Sequence, residues 1–147
     1  MSELPEPIQF CLRTTKRVSS PKAGPLSPTE TIILRAYTFD MEVQNGDLSQ
    51  FFYNTDASPE IAEETARARG EIGASESAAI LRQAASVVCR PEYKSYVGTW
   101  GGYLSKVDPE QRLRAFESEL GRIEDNVDGL LEKFILDHRH ELESRKI

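Results

Sequence analysis

The residue types that most often catalyse reactions or bind metals are scarce in this chain. Its two histidines, His138 and His140, are two positions apart, so their side chains point to opposite sides of a helix. Its two cysteines, Cys11 and Cys89, have no second cysteine or histidine at metal-ligand spacing. We therefore expect no metal, no cofactor and two free thiols.

Two further patterns resemble catalytic or phosphate-binding motifs but lack the required context. Ser19 and Lys22 have S-x-x-K spacing, yet they lie in a proline-rich stretch and not at the start of a helix. The stretch around Gly98, Gly101 and Gly102 lacks the preceding strand and following helix that a phosphate-binding loop needs. The sequence therefore predicts a protein without enzymatic activity.

Carboxylates are abundant, and several of them fall on one predicted helix face. Glu60, Glu63 and Glu64 have the i, i+3, i+4 spacing of neighbours on a helix surface, and Glu71 follows on the same predicted helix. Acid–base catalysis needs carboxylates that converge in a partly buried cleft, which this pattern does not indicate. We treat the four glutamates as a candidate partner-binding acidic face, with an ordinary solvated face as the alternative.

Negative charge is concentrated in the middle of the chain. The formal net charge is −6 over 147 residues, and residues 41–89 hold eight acids against three arginines. Such a surface repels nucleic acid and favours basic partners. No stretch approaches the roughly 18 apolar residues of a membrane span, and the N-terminal residues lack the pattern of a secretory signal. We expect a cytoplasmic protein that binds neither nucleic acid nor membranes directly.

Helices are predicted to position these residues. Residues 27–30 read Ser-Pro-Thr-Glu, a capping box with proline at the first helical position. The helix that follows is predicted to end at Asn45 and Gly46, and Asp47 is predicted to cap a short second helix through Asn54. Further helices are predicted over 58–71 and 76–88.

The C-terminal half is predicted to contain a loop and then a broken helical region. Residues 90–107 are expected to form a loop with a helical turn, its aromatic rings packed on the core. A capping-box pattern at residues 108–111 predicts the next helix, and residues 125–129 predict a break in it. Apolar residues recur through this region at alternating spacings of three and four, which indicates a core-facing stripe or, alternatively, a coiled-coil seam.

In the N-terminal part of the chain, residues 13–28 differ in composition from the rest. They are rich in Pro, Ser, Thr and basic residues, which is typical of a mostly irregular arm or linker. Before this stretch, residues 8–12 are also compatible with a short strand. The sequence thus predicts an arm over residues 1–27 and one all-α, multi-helix domain over residues 28–147.

The segment EVQNGDLSQFFYN, residues 42–54, is the most distinctive in the chain. It resembles the pattern E-V-x-N-G-G-x-x-Q-F-F-x-N of a bacterial family of unknown function that includes a DNA-mimic protein. The resemblance extends over roughly residues 30–138, although Asp47 replaces the usual second glycine. The motif residues carried here are Glu42, Asn45, Gly46, Gln50, Phe51, Phe52 and Asn54.

The resemblance implies an all-helical, often dimeric protein without known catalysis. In a DNA mimic, acidic side chains imitate backbone phosphates and occupy the basic surface of a nucleic-acid-binding protein. The leading hypothesis is therefore a non-enzymatic protein-binding module, and its most specific form is a DNA mimic directed at a DNA-binding protein. A homodimer is what the resemblance implies, and the sequence itself does not give the oligomeric state.

Two other functions remain open from the sequence. One is an immunity-type or scaffold protein that binds its partner without mimicking DNA. The other is a small-ligand-binding protein or enzyme that uses the motif from Glu42 to Asn54, where Gln50 and Asn54 face the same way on a short helix. A purely structural role for this motif, in which it turns and packs the chain, is the simpler interpretation.

Overall fold

The computed structural model describes residues 4–20, 22, 24–123 and 126–144, and over these residues the chain is built from packed helices. They are α1 (Glu6–Ser19), α2 (Pro28–Asn54), α3 (Pro59–Glu71), α4 (Ser75–Val88), α5 (Trp100–Val107), α6 (Arg112–Arg122), α7 (Val127–Asp137) and α8 (Arg139–Ser144), with a 3₁₀ helix at Pro91–Ser95. The described residues contain no strand, which confirms the all-α prediction. None of the described helices has the length and apolarity needed to cross a membrane.

Helix α2 begins and bends where the sequence predicts. The Ser27 hydroxyl accepts a hydrogen bond from the Glu30 N–H at 3.1 Å, and the Glu30 carboxylate accepts one from the Ser27 N–H at 2.9 Å. The helix is interrupted at Gly46 (φ −169°, ψ 27°) and Asp47 (φ 63°, ψ −168°). The predicted capping box and the predicted break between two helical parts are both confirmed.

The next two helices also follow their sequence signals closely. Ser58 caps α3 by accepting from the Ile61 N–H at 3.1 Å, and Gly73 adopts φ +99° just beyond the end of α3. That left-handed backbone suits glycine, which lacks a Cβ, and it closes the predicted helix over 58–71. Ser75 is the first residue of α4 and not its cap, because Ala74 occupies the N-cap position.

The predicted loop over 90–107 is helical over much of its length, so this prediction is wrong there. A 3₁₀ helix covers Pro91–Ser95, and Thr99 caps α5 by accepting from the Gly102 N–H at 3.0 Å. Glycine disfavours helices by about 1 kcal/mol, which is why Gly101 and Gly102 predict a loop. Here the packing of buried Tyr103 on the core outweighs that propensity.

The region after α5 begins its helix later than predicted. Both Asp108 carboxylate oxygens accept backbone hydrogen bonds at 2.8 Å, one from Arg112 and the other from Leu113, while Gln111 takes a left-handed conformation (φ 56°). The expected capping box at 108–111 is therefore an Asp-capped turn that precedes α6. The predicted break is confirmed, since α6 and α7 are separate helices, although Asp125 lies outside the described residues.

The mostly irregular arm is the main correction to the predicted fold. Residues 6–19 form α1, so the alternative of a short strand over 8–12 is also wrong. Glu6 in the first turn and Lys16 and Arg17 in the last turn complement the helix dipole. Phe10, Cys11, Thr14 and Val18 are buried on one face of α1, which packs against α2 and α7. The Ser- and Pro-rich residues that follow α1 led to the prediction of an irregular arm. The buried face within α1 was not recognised from the sequence.

Two groups of buried side chains form the interior, and α2 contributes to both. One group lies among the second part of α2 and helices α3 to α6, and it includes Phe51, Phe52, Leu81 and Tyr103. The other lies among α1, the first part of α2, the end of α3, α7 and α8, and it includes Ile33, Ala68 and Ile135. The kink at Gly46 and Asp47 immediately precedes Leu48, Phe51 and Phe52, which belong to the first group.

Candidate functional site

The aromatic part of the family motif belongs to the core. Phe51 and Phe52 are 2% and 0% exposed, and Phe51 meets Phe39 edge to face with ring centroids 4.9 Å apart. Edge-to-face contacts of this kind add stabilisation beyond the burial of area. These two side chains anchor the second part of α2 and are not available to a ligand.

The polar residues of the motif hold the kink of α2 in place. The Asn54 amide donates to the Glu42 carboxylate at 2.6 Å, so this bond connects the two parts of the helix across the kink. The Gln50 side chain lies over Gly46, whose missing Cβ would be 2.8 Å from the Gln50 Cβ. Asn45 is exposed on the turn. Glu42 and Asn54 thus bind each other, whereas Gln50 and Gly46 also border the cleft described below.

Arginines pair with some of the carboxylates on the predicted acidic face of α3. Arg82 of α4 donates to the Glu63 carboxylate at 3.0 Å, and this bond lowers the pKa of Glu63. Arg35 of α2 donates to Glu64 at 3.1 Å. Two of the glutamates are thereby neutralised by arginines from neighbouring helices.

The remaining two predicted glutamates, Glu60 and Glu71, are exposed to solvent. Glu60 accepts a hydrogen bond from the Ser58 hydroxyl at 3.2 Å, and Glu71 lies exposed at the end of α3. Neither forms an ion pair with another described residue. The structure therefore keeps Glu60, Glu63, Glu64 and Glu71 on one helix but divides them into two paired and two unpaired carboxylates.

A large cleft opens beside Glu60 and is the main surface feature that sequence reasoning missed. Its volume is about 1530 Å³, and it is lined by residues from the second part of α2, the start of α3 and the segment 89–101. We call it the aromatic cleft because its lining includes Tyr53, Tyr93, Tyr96 and Trp100. The sequence predicts that the rings of 90–107 pack on the core, which only Tyr103 does completely.

The rings of the aromatic cleft support one another through edge contacts. Tyr53 and Tyr93 each meet Trp100 with ring centroids 5.9 Å apart, at interplanar angles of 69° and 85°. The Trp100 indole N–H donates to the Ser49 hydroxyl at 2.7 Å, which fixes the ring against α2. Tyr53 comes from the family motif, some forty positions before the other rings, so no local spacing signal connects it with them.

Partial burial in the aromatic cleft raises the pKa of two of its ionisable groups. Burial raises the pKa of Tyr93, and the nearby Asp56 carboxylate and Tyr53 add to the effect. Burial also raises the pKa of the Cys89 thiol to about 12, with a further contribution from the Glu60 carboxylate. The start of α3 and the segment 89–93 both line this cleft.

Carboxylates also meet beneath the kink of α2. Burial raises the pKa of Glu117 on α6, and the charge of Asp47 adds to this effect. No group of three or more potential metal ligands occurs among the described residues. His138 instead contacts the Phe134 carbonyl through Nδ1 at 2.8 Å and lies against the Phe134 ring, which is a packing role.

These features define an all-α protein with a kinked central helix, a partly neutralised acidic face and an aromatic cleft. The chain belongs to the DMP19-like protein family, whose model matches residues 24–138. This match confirms the resemblance inferred from the motif in residues 42–54. Comparison with curated proteins and with solved structures gives no match.

Proposed function

We propose that the protein is a non-enzymatic protein-binding module that places acidic side chains against the basic surface of a DNA-binding protein. Membership of the DMP19-like family, together with the acidic residues 41–89, is the observation that carries this proposal. Carboxylates held on a helical scaffold attract the same basic side chains that normally bind phosphates.

The ion pairs on α3 indicate which of its carboxylates attract a basic partner most strongly. Glu63 and Glu64 form neutral pairs with Arg82 and Arg35, and such pairs contribute little to a long-range field. Glu60 and Glu71 form no ion pair with another described residue, so we assign them the larger share of the attraction. Helix α3 then presents its charge mainly at its two ends.

The test is a pull-down from a bacterial lysate on the immobilised protein, with elution by a salt gradient. The expected partner is a DNA-binding protein that elutes at moderate salt and is displaced by the DNA it recognises. Two double variants are compared on the purified partner. Glu60→Gln with Glu71→Gln changes the net charge by two, whereas Glu63→Gln with Arg82→Gln removes one neutral pair and leaves the net charge unchanged.

We expect the first double variant to weaken binding and to reduce its salt dependence, because two attracting charges are gone. The second double variant should bind like the wild type. A partner whose binding is insensitive to salt and to its own DNA would contradict the proposal and favour a scaffold or immunity-type role. Binding of small ligands at Gln50 would instead support the ligand-binding alternative.

A further inference from the structure

We propose that the aromatic cleft binds an extended peptide segment of a protein partner, and that this segment carries both basic and acidic side chains. The inference goes beyond the proposed function, because it concerns the binding of a peptide in the cleft and not the imitation of DNA, although Glu60 belongs both to the acidic face and to the cleft. It rests on the size of the cleft, its exposed rings and the way its charges are distributed.

The size of the aromatic cleft fits a polymer better than a metabolite. Its volume of about 1530 Å³ exceeds the range of about 300–1,000 Å³ that is usual for small-molecule sites. The lining comes from three parts of the chain, which are the second part of α2, the turn before α3 with its first residues, and the segment 89–101. An extended segment of several residues is the kind of ligand that contacts all three at once.

The rings in the cleft are suited to peptide contact. Tyr53 is 55% exposed although it touches Trp100, and Tyr93 and Trp100 are half-buried. Tyrosine and tryptophan offer rigid apolar faces together with polar edges, and grooves lined by them bind extended and proline-rich segments. Their arrangement leaves apolar surface that a bound segment would cover.

The charges in the cleft determine what that segment must carry. Asp56 and Glu60 come from the turn before α3 and its first residues, whereas Arg90 and Lys94 come from the segment after α4. None of these four side chains forms an ion pair within the part of the chain that the structure describes. Both signs are therefore available to a ligand, and each sign is contributed by its own chain segment.

This charge pattern selects among ligand classes. A nucleic acid strand would be attracted by Arg90 and Lys94 but repelled by Asp56 and Glu60. An extended peptide has side chains that alternate between two sides, so one residue can face the carboxylates while a neighbour faces the cations. A mixed-charge peptide is therefore the ligand that the four side chains complement.

Trp100 makes the proposal directly measurable, because it is the single tryptophan of the chain and lines the cleft. A random-peptide phage library is panned on the full-length protein, and the enriched sequences are synthesised. Each peptide is then titrated while Trp100 fluorescence is recorded. We expect enrichment of sequences that combine Lys or Arg with Asp or Glu, and a saturable change in fluorescence.

Variants connect binding to the named side chains. Asp56→Asn and Arg90→Gln should each weaken binding about two- to fivefold, and Tyr53→Ala should weaken it further through lost ring contact. Asparagine tolerates the left-handed backbone of Asp56 (φ 54°), so Asp56→Asn preserves the turn. Glu76→Gln and Lys106→Gln, which change exposed charges outside the cleft, serve as matched controls and should bind normally.

Three outcomes would overturn the inference. They are the absence of any enriched peptide, enrichment of sequences with one sign of charge only, and peptides that bind the Tyr53→Ala variant as tightly as the wild type. A single-stranded oligonucleotide that binds in place of peptides would reassign the cleft to nucleic acid. None of these measurements uses a DNA-binding partner, so the outcome is independent of the proposed function.

Discussion

Arg17, near the end of α1, donates a hydrogen bond to the carboxylate of Glu30, which is completely buried in the first turn of α2. The same carboxylate closes the capping box with Ser27. One side chain therefore fixes the start of α2 and connects it to the N-terminal helix. This pair gives α1 a defined position on the helical domain.

Replacement of Arg17 by Met tests how much this connection contributes. The substitution keeps an apolar stem but takes the guanidinium away from a buried carboxylate, and we expect the free energy of unfolding to fall by about 2–4 kcal/mol. Arg13→Met on the same helix is the control, because Arg13 pairs with Glu6 in an exposed position and its loss should change little. Urea denaturation of both variants measures the difference, and equal stabilities would contradict a structural role for the pair.

The same carboxylate makes a specific contribution to acid stability. Burial acts to raise the pKa of Glu30, but hydrogen bonds from the Ser27 backbone and from Arg17 outweigh it, so the pKa lies below its ordinary value of 4.5. A carboxyl with a lowered pKa in the folded state stabilises the protein above the unfolded-state pKa, and this contribution is lost as the pH falls through the folded-state pKa.

We therefore expect the melting temperature of the wild type to fall more steeply below about pH 4.5 than that of Glu30→Gln. Glutamine retains an oxygen that can accept from Ser27 but does not titrate. Thermal melts of the two proteins across the acidic range give the comparison. Parallel curves would show that Glu30 makes no separate contribution.

The extent to which the fold was predictable depends on how local its signals are. Ser27 with Glu30, Ser58 and Gly73 determine helix ends through contacts within a few residues, and the sequence predicted each of these ends. Helix α1 was missed because its buried face is completed by α2 and α7, which are distant in sequence. Helix α6 begins later than predicted because Asp108 accepts hydrogen bonds from its first residues across a turn. The spacing of residues 108–111 alone does not distinguish such a turn from a capping box.

Gly46 should be intolerant of any side chain. A Cβ there would lie 2.8 Å from the Gln50 Cβ, an atom fixed by the backbone, so Gly46→Ala has to move the kink. We expect a loss of about 1–3 kcal/mol in unfolding free energy. Gly70→Ala on α3 is the matched control, since nothing lies within 4 Å of its Cβ position, and it should stabilise the protein by about 0.5–1 kcal/mol. A neutral Gly46→Ala in urea denaturation would show that the kink is adaptable.

Two adjacent glycines in α5 should respond in opposite ways. A Cβ at Gly102 would lie 2.5 Å from the Tyr96 hydroxyl oxygen, whereas nothing lies within 4 Å of the Cβ position at Gly101. Gly102→Ala should displace the Tyr96 ring and lower the melting temperature, while Gly101→Ala should raise it through better helix propensity. Near-ultraviolet circular dichroism of the two variants reports on the ring. Identical spectra with Gly102→Ala would contradict the tight contact.

The candidate site was less predictable than the fold for a related reason. The glutamates of α3 follow from helical spacing, but their pairing with Arg35 and Arg82 depends on how α2 and α4 pack against α3. The aromatic cleft joins Tyr53 to Trp100 across 47 positions of sequence, and no periodicity reports such a contact. The spacing of residues within one helix predicts the faces of that helix. A cleft forms between helices, so its lining depends on how the helices pack.

Cys89 should react slowly with alkylating reagents even though it borders the aromatic cleft. Burial raises the pKa of its thiol to about 12 from an ordinary value of 9.0, and the thiolate is the reactive form. Below pH 9 the native thiolate fraction is then about a thousandfold lower than that of an ordinary thiol. Alkylation by iodoacetamide, mapped to Cys89 by mass spectrometry, should be correspondingly slow in the native protein and fast in urea.

The native alkylation rate of Cys89 should keep rising about tenfold per pH unit between about pH 8 and pH 10, because the pH is still well below the pKa of the thiol. A native rate that levels off near pH 9 would show an ordinary thiol, and a rate that is slow but independent of pH would show that access to Cys89 is limiting.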